Sequence, residues 1–186
     1  DLNGNKVVDF VNSNLHIMGY SETIDKIISL DELQNHLYSI PSDPDAIPYK
    51  TSYYKKGWAF CLEHSKRVKL KDPEYRVKID AELKDGVLDY ADIVIQGKSN
   101  KEVLISTYFC HPSLANNELS GPVVVMAIAR WLSKRSSNFY TYRFVFVPET
   151  LGSIVYLSKN YIHLKENVIA GYVLSCVGDE RNYSYL

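Results

Sequence analysis

The chain is poor in the features that mark secreted, membrane-spanning or nucleic-acid-binding proteins. Only three of its 186 residues are cysteine, at 61, 110 and 176. An odd, scattered set embedded in apolar sequence makes no disulfide framework and reads as buried free thiols in a reducing compartment. No apolar run reaches the length of a membrane span, and the N-terminus carries no signal-peptide pattern, so no membrane partner is expected and the expected location is cytoplasmic. Charge of one sign is lacking too: 21 basic residues stand against 22 acidic ones, a net charge of −1. That balance leaves no electrostatic footprint for nucleic acid. The longest basic cluster, Lys66-Arg67-Val68-Lys69-Leu70-Lys71, is short and reads as a solvated face.

What is present suits one ordinary domain with a small insertion. Both ends read as cut. Asn3-Gly4 is the dipeptide of a tight hairpin turn, yet only Asp1-Leu2 precede it, and residues 179–186 open a loop or strand with nothing to close it. The chain is therefore expected to be part of a longer protein. Strands are expected at Lys6–Phe10 and Leu15–Tyr20. Ser29-Leu-Asp-Glu32 is a capping box that starts a helix through about Tyr38. Pro41, Pro44 and Pro48 make an extended loop, and Trp58–Leu62 is a short buried piece. Residues 75–83 alternate, with Val77, Ile79, Ala81 and Leu83 on one face. With Asp85-Gly86 as the turn, this predicts a hairpin onto Val87–Gly97.

From Lys101 the character changes. Continuous apolar strands near 102–109, 142–147 and 168–174 alternate with helices near 121–135 and 152–160, which argues for a largely parallel sheet covered on both faces. The helix at Pro122 is apolar nearly all round and is expected to be deeply packed.

Each of these strands runs into a loop with chemistry. The first ends at Cys110-His111, the second at Pro148-Glu149-Thr150, and the third at Ser175-Cys176-Val177-Gly178-Asp179. Ligands and metals in open α/β sheets sit past the carboxyl ends of strands, so His111, Glu149 and Asp179 are placed to meet at one sheet edge. A carboxylate at the end of so apolar a strand is expected to be partly desolvated, with a raised pKa suited to a general base. Adjacent strand residues point to opposite faces, so Cys110 and His111 are not expected to act as a pair, and Cys110 is expected to pack inward. The other histidines, His16, His36, His64 and His163, are expected to be structural or at the surface. The aromatic group Tyr49, Tyr53, Tyr54 and Trp58 reads as packing or a domain contact, although aromatic faces also suit sugar rings.

These residues resemble the zinc aminopeptidase superfamily, whose mixed sheet is sandwiched by helices. The segment Ala115-Asn-Asn-Glu-Leu-Ser-Gly121 keeps the frame of that superfamily's metal-bridging loop. A closer resemblance is to polysaccharide-biosynthesis proteins with an aminopeptidase-like domain. It is carried by Ile47-Pro-Tyr-Lys-Thr-Ser-Tyr-Tyr54, Trp58-Ala-Phe-Cys61, Cys110-His-Pro-Ser113, Asn117-Glu-Leu-Ser-Gly121, Pro148-Glu-Thr-Leu-Gly-Ser153 and Cys176-Val-Gly-Asp179. The resemblance implies an α/β fold of that type, with a core from 1–40 and 101–186 and an inserted subdomain over 41–100. It also implies zinc, one ion or two, with His111 and Asp179 as ligands and Glu149 as the base.

Asn117 or Glu118 stands where the superfamily has a bridging carboxylate. Asn117 is neutral and binds zinc poorly, and Glu118 is able to take over if the loop shifts slightly; the alternative is that Asn116 and Asn117 hydrogen-bond the loop and cap the next helix. The implied activity is metal-dependent hydrolysis of a peptide or of an amide on a glycan precursor. Asn117, Thr150 and Ser175, each neutral where the superfamily has a carboxylate, support a competing expectation: a degenerate scaffold that binds carbohydrate or a partner protein.

Overall fold

The computed structural model describes residues 1–111, 114–182 and 184, and the chain divides into two compact units, 1–85 and 86–186. The first unit pairs strand β1 (Ile24–Ser29) antiparallel with β4 (Glu74–Ile79), and β2 (Leu37–Tyr38) parallel with β3 (Phe60–Cys61). Two short helices, α1 (Leu30–Gln34) and α2 (His64–Arg67), complete it. The alternation read from residue 75 holds: Tyr75, Val77 and Ile79 are buried and join Ile28, Leu33, Leu37, Phe60 and Leu62 in one core.

The strand's partner differs from the expectation. Ile79 lies opposite Ile24, and β5 (Ala91–Ile95) belongs to the second unit's sheet, so no hairpin forms about Asp85-Gly86. Alternation specifies a face but no partner, and the β1 register runs the full length of β4. Strands before residue 40 pair with strands at 60–61 and 74–79, while β5 pairs onward.

Local signals fare unevenly. Asn3-Gly4 does lie in a turn, with Gly4 at positive φ and its N–H bonded to Asp1 O, but Lys6–Phe10 is not a strand. Asn14–His16 forms a 3-10 turn, and the expected strand there is reduced to isolated bridges at Ile17 and Gly19. Ser29 caps α1 by accepting the Glu32 N–H, whereas the Glu32 carboxylate takes Lys26 Nζ at 2.8 Å. The helix stops at Gln34 rather than Tyr38, because Leu37-Tyr38 is drawn into pairing with Phe60-Cys61. Arg67 seals the end of α1, donating to Gln34 O, Gln34 Oε1 and Leu37 O. Replacement of Ser29 by alanine is expected to cost about 1 kcal/mol through the lost cap, measured as a shift in the denaturant midpoint.

The second unit is a mixed sheet in the order β5-β7-β6-β8, built from β6 (Glu102–Tyr108), β7 (Thr141–Val147) and β8 (Val168–Val173), which run parallel, with β5 antiparallel at one edge. The α/β architecture read from residues 101–186 is the one observed. Helix α3 (Ser120–Ser133) connects β6 to β7, and α4 (Leu151–Asn167) connects β7 to β8. Alternate residues of β7 serve the two faces. Phe144 and Phe146 pack with Val125, Ala129 and Leu132 of α3, while Val145 and Val147 pack with Tyr156 and Leu164 of α4. Only that stripe of α3 is buried. Val123, Met126 and Trp131 are 51–65% exposed, so the expectation of a deeply packed helix fails on its outer face.

Candidate functional site

The two helices cover opposite faces of the sheet, so the chain leaves β6 toward one face and leaves β7 toward the other. Adjacent parallel strands with diverging connections open a crevice at their carboxyl ends, where ligands bind in open α/β sheets. The ends of β6 and β7 carry Cys110-His111 and Glu149.

Glu149 is set by its turn. Thr150 has φ 57 and ψ −71, and Leu151 N–H bonds to Glu149 O at 2.6 Å. This is a three-residue γ-turn with positive φ, a strained conformation that is an outlier for a β-branched residue. Strain of this kind collects at functional sites, where surrounding structure holds it. The turn aims Glu149 back across the crevice. Its Oε2 lies 3.5 Å from His111 Nε2, and its N–H donates to Cys110 Sγ at 3.2 Å. The Glu149 side chain is 49% exposed rather than desolvated, because the strand ends at Val147 and the turn projects past the sheet.

His111 is held from its other side. Its Nδ1 donates to Glu118 Oε1 at 2.5 Å, and Glu118 Oε2 accepts the Cys110 N–H. A carboxylate only accepts, so Nδ1 carries the hydrogen and the Nε2 side faces Glu149. Glu118 is 4% exposed. It lies in a π-helical turn, Ala115–Leu119, that leads directly into α3. Such a turn shifts side-chain phase, often at functional sites, and here it brings the carboxylate inward.

Cys110 corrects the expectation of an inward-packed thiol. Strand β6 ends at Tyr108, so alternation no longer applies at 110 and 111, and Cys110 Sγ sits 3.6 Å from His111 Nδ1. Cys110 and Cys176 are exposed, and only Cys61 is buried. Burial pushes the Cys61 thiol up to about 11. The Cys110 thiol is also raised, by desolvation first and by Glu118 and Glu149, against the Glu149 N–H bond. Donor atoms of Cys110, His111 and Glu118 lie within 4.8 Å of one another. A cleft of about 430 Å³ opens beside them, walled by Phe109, Leu114, Ala115 and Leu119.

The third strand end is knitted to the same loop in another way. Asn116 donates to Asp179 Oδ2 at 2.9 Å and accepts the Gly178 N–H at 2.8 Å. Arg181 donates to the Asp179 carboxylate, holding it below its ordinary pKa. Asp179 thus lies outside the three-donor group. Ser175 Oγ is 2.6 Å from Tyr108 Oη, which also accepts from Asn117 Nδ2 at 3.1 Å. Asn117 Oδ1 is buried and has no hydrogen-bond partner among the described residues. Gly121 is required here, since a Cβ would come within 2.3 Å of Thr107 Oγ1 and 2.5 Å of Leu174 O. The Pro112-Ser113 part of the Cys110–Ser113 motif lies outside the described residues, as do Tyr183, Tyr185 and Leu186 of the expected C-terminal loop.

The remaining histidines have structural partners. His16 bonds Cys61 O, His36 bonds Trp58 O and stacks on Trp58, His64 bonds Ser39, and His163 bonds Glu102. Trp58 is therefore packed, whereas Tyr53 and Tyr54 are exposed. Among the described residues no helix is long and apolar enough to cross a membrane.

Comparison with known proteins agrees with the motifs. A Clostridium acetobutylicum protein named "Putative polysaccharide biosynthesis protein with aminopeptidase-like domain" is 48% identical over 182 residues, 97% of this chain and 42% of that protein. A crystal structure titled as a "putative peptidase" from the same organism superposes with a TM-score of 0.91 at 48% identity, over 96% of this chain and 42% of that one. The chain thus spans less than half the length of these relatives. The resemblance to polysaccharide-biosynthesis proteins with an aminopeptidase-like domain is shown, and with it the mixed α/β fold. Residues 4–186 match one family throughout, and the chain belongs to it: the domain of unknown function DUF4910.

Proposed function

We propose that this chain supplies part of the active site of a metal-dependent amide hydrolase of the aminopeptidase-like type, with Glu149 as general base. The supporting observation is the convergence of His111, Glu118 and Glu149 in the crevice between the ends of β6 and β7. The donor set fits a divalent ion. It offers an imidazole and a buried carboxylate, with a buried, unpartnered amide oxygen at Asn117 nearby in sequence. Imidazole and carboxylate suit zinc.

His111 and Glu118 would hold the ion, which when bound polarises a carbonyl and acidifies water. Without the ion Glu118 accepts from His111 Nδ1, and the ion would take the place of that hydrogen. Glu149, at the mouth of the crevice, would take the proton of the attacking water and pass it to the leaving amine. Asp179 would act through Asn116, holding the 116–117 segment in place. The expectation of Asp179 as a ligand is replaced in this proposal by that positioning role. The apolar cleft wall would take an apolar group beside the scissile bond of a peptide or a glycan-linked amide. We place this activity in the cytoplasm and take residues 1–40 and 101–186 as the aminopeptidase-like core of the longer protein.

The second reading is a scaffold without bimetal chemistry that binds carbohydrate or a partner protein. It rests on neutral Asn117, Thr150 and Ser175, with Ser175 Oγ already bonded to Tyr108. Metal analysis of the full-length protein, with hydrolysis assays on aminoacyl and acyl-amide reporters, separates the two. One bound divalent ion at most and slow hydrolysis, both lost in His111→Ala, are expected. No metal, with binding and any turnover unchanged in His111→Ala, would favour the scaffold. Two equivalents of zinc with brisk turnover would restore a two-metal centre.

A further inference from the structure

We infer that Cys110 is the third protein ligand of the proposed metal site, making it a single-ion centre of one thiolate, one imidazole and one carboxylate. This rests on the reading of a metal at His111 and Glu118. Neither the superfamily frame nor the alternation of β6 assigns Cys110 a role, so the geometry alone carries it.

Cys110 Sγ lies 3.6 Å from His111 Nδ1. In a tetrahedral zinc site with bonds of about 2.0–2.3 Å, donor atoms stand roughly 3.3–3.7 Å apart, so this pair is already at ligand spacing. The His111–Glu118 contact of 2.5 Å is a hydrogen bond; that pair would open by roughly 1 Å to admit the ion, with the ring hydrogen then carried on Nε2, toward Glu149. The Glu149 N–H donates to Cys110 Sγ at 3.2 Å. A backbone donor aimed at sulfur is what stabilises a metal-bound thiolate. Three protein ligands with a fourth position open is the arrangement of catalytic rather than structural zinc. The open position faces a cleft with apolar walls. One thiolate and one carboxylate also offset both charges of a single divalent ion, with no need for the carboxylates missing at 117, 150 and 175. A soft sulfur donor further shifts preference toward zinc or cobalt and away from magnesium or calcium.

Cobalt(II) reports thiolate ligation directly, through a sulfur-to-metal charge-transfer band in the near ultraviolet. Titration of the reduced, full-length protein with cobalt(II) is expected to give that band, saturating at one equivalent. Cys110→Ser should abolish the band and weaken cobalt binding by roughly tenfold or more. Cys176→Ser should keep both. A second measurement does not need the variants to fold: zinc should slow iodoacetamide labelling of Cys110, read by peptide mass, and leave Cys176 labelling unchanged. Cobalt that binds without the band, or a band that survives Cys110→Ser, overturns the thiolate while leaving the His111–Glu118 metal site standing. No cobalt binding at all overturns both.

Discussion

Arg143→Met is expected to lower the stability of the folded protein by about 3–5 kcal/mol, the cost of leaving a buried carboxylate without its cation. Arg143 on β7 donates to Glu102 Oε2 at 2.8 Å and Oε1 at 3.2 Å, and to Asp92 Oδ2 at 3.0 Å. Glu102 is 4% exposed and also accepts from His163 Nε2 on α4 at 2.8 Å. Tyr156 donates to Asp92 at 2.8 Å, and burial with Asp92 pushes its hydroxyl up to about 12. One guanidinium thus ties β5, β6 and β7 together under α4.

Burial pushes the Glu102 carboxyl up, but the bonds from Arg143 and His163 outweigh it, and its pKa is lowered in the folded protein. A depressed carboxyl stabilises above its unfolded pKa, near 4.3, and the benefit is lost as pH falls through the lower folded value. Wild-type stability should therefore drop below about pH 4.3, and Arg143→Met should flatten that part of the profile. Adding Glu102→Gln to Arg143→Met should recover part of the loss, because the orphaned charge goes. Denaturant unfolding of the three proteins at neutral pH checks this. A loss under about 1 kcal/mol, the size of an exposed pair, would mean that Glu102 is solvated.

The same strand shows how far the sequence could be read. Thr141–Val147 is apolar on both faces, which only a covered parallel strand tolerates, and its neighbours and the two flanking helices followed. Arg143 was hidden within it, since a cation in an apolar run signals a partner without saying which. Alternation gave the buried face of β4, yet its partner comes from β1, about fifty residues earlier, and no local pattern encodes that pairing. The capping box at Ser29 gave the start of α1 but not its end, which is set by the pairing of Leu37 with Phe60.

At the site, position past a strand end named His111 and Glu149, whose side chains lie 3.5 Å apart in the structure. The same rule named Asp179, whose carboxylate bonds to Asn116 and Arg181. Cys110 was read as inward-packed because the two-residue period was carried past Tyr108, where pairing stops. Glu118 stayed one of two candidates because helical spacing could not foresee the π turn at 115–119.

Glu149→Gln is expected to lower amide hydrolysis by about 10²–10⁴-fold in kcat, the usual contribution of a positioned general base, with little change in KM. The amide keeps the size of the side chain but cannot take a proton from water. Its effect on metal content should be small, because Glu149 lies outside the group formed by Cys110, His111 and Glu118. That separation distinguishes it from His111→Ala, which should lose metal and activity together. The fold should tolerate Glu149→Gln, since the side chain is half exposed and the γ-turn at Thr150 is made by backbone atoms. Thr150→Gly should relieve the positive-φ strain, raising stability while loosening the aim of Glu149, so kcat should fall as the midpoint of unfolding rises. The measurements are steady-state rates on an amide reporter, bound metal per chain, and thermal unfolding for each variant. Full activity in Glu149→Gln would remove Glu149 from the chemistry and leave the proton transfer to another group.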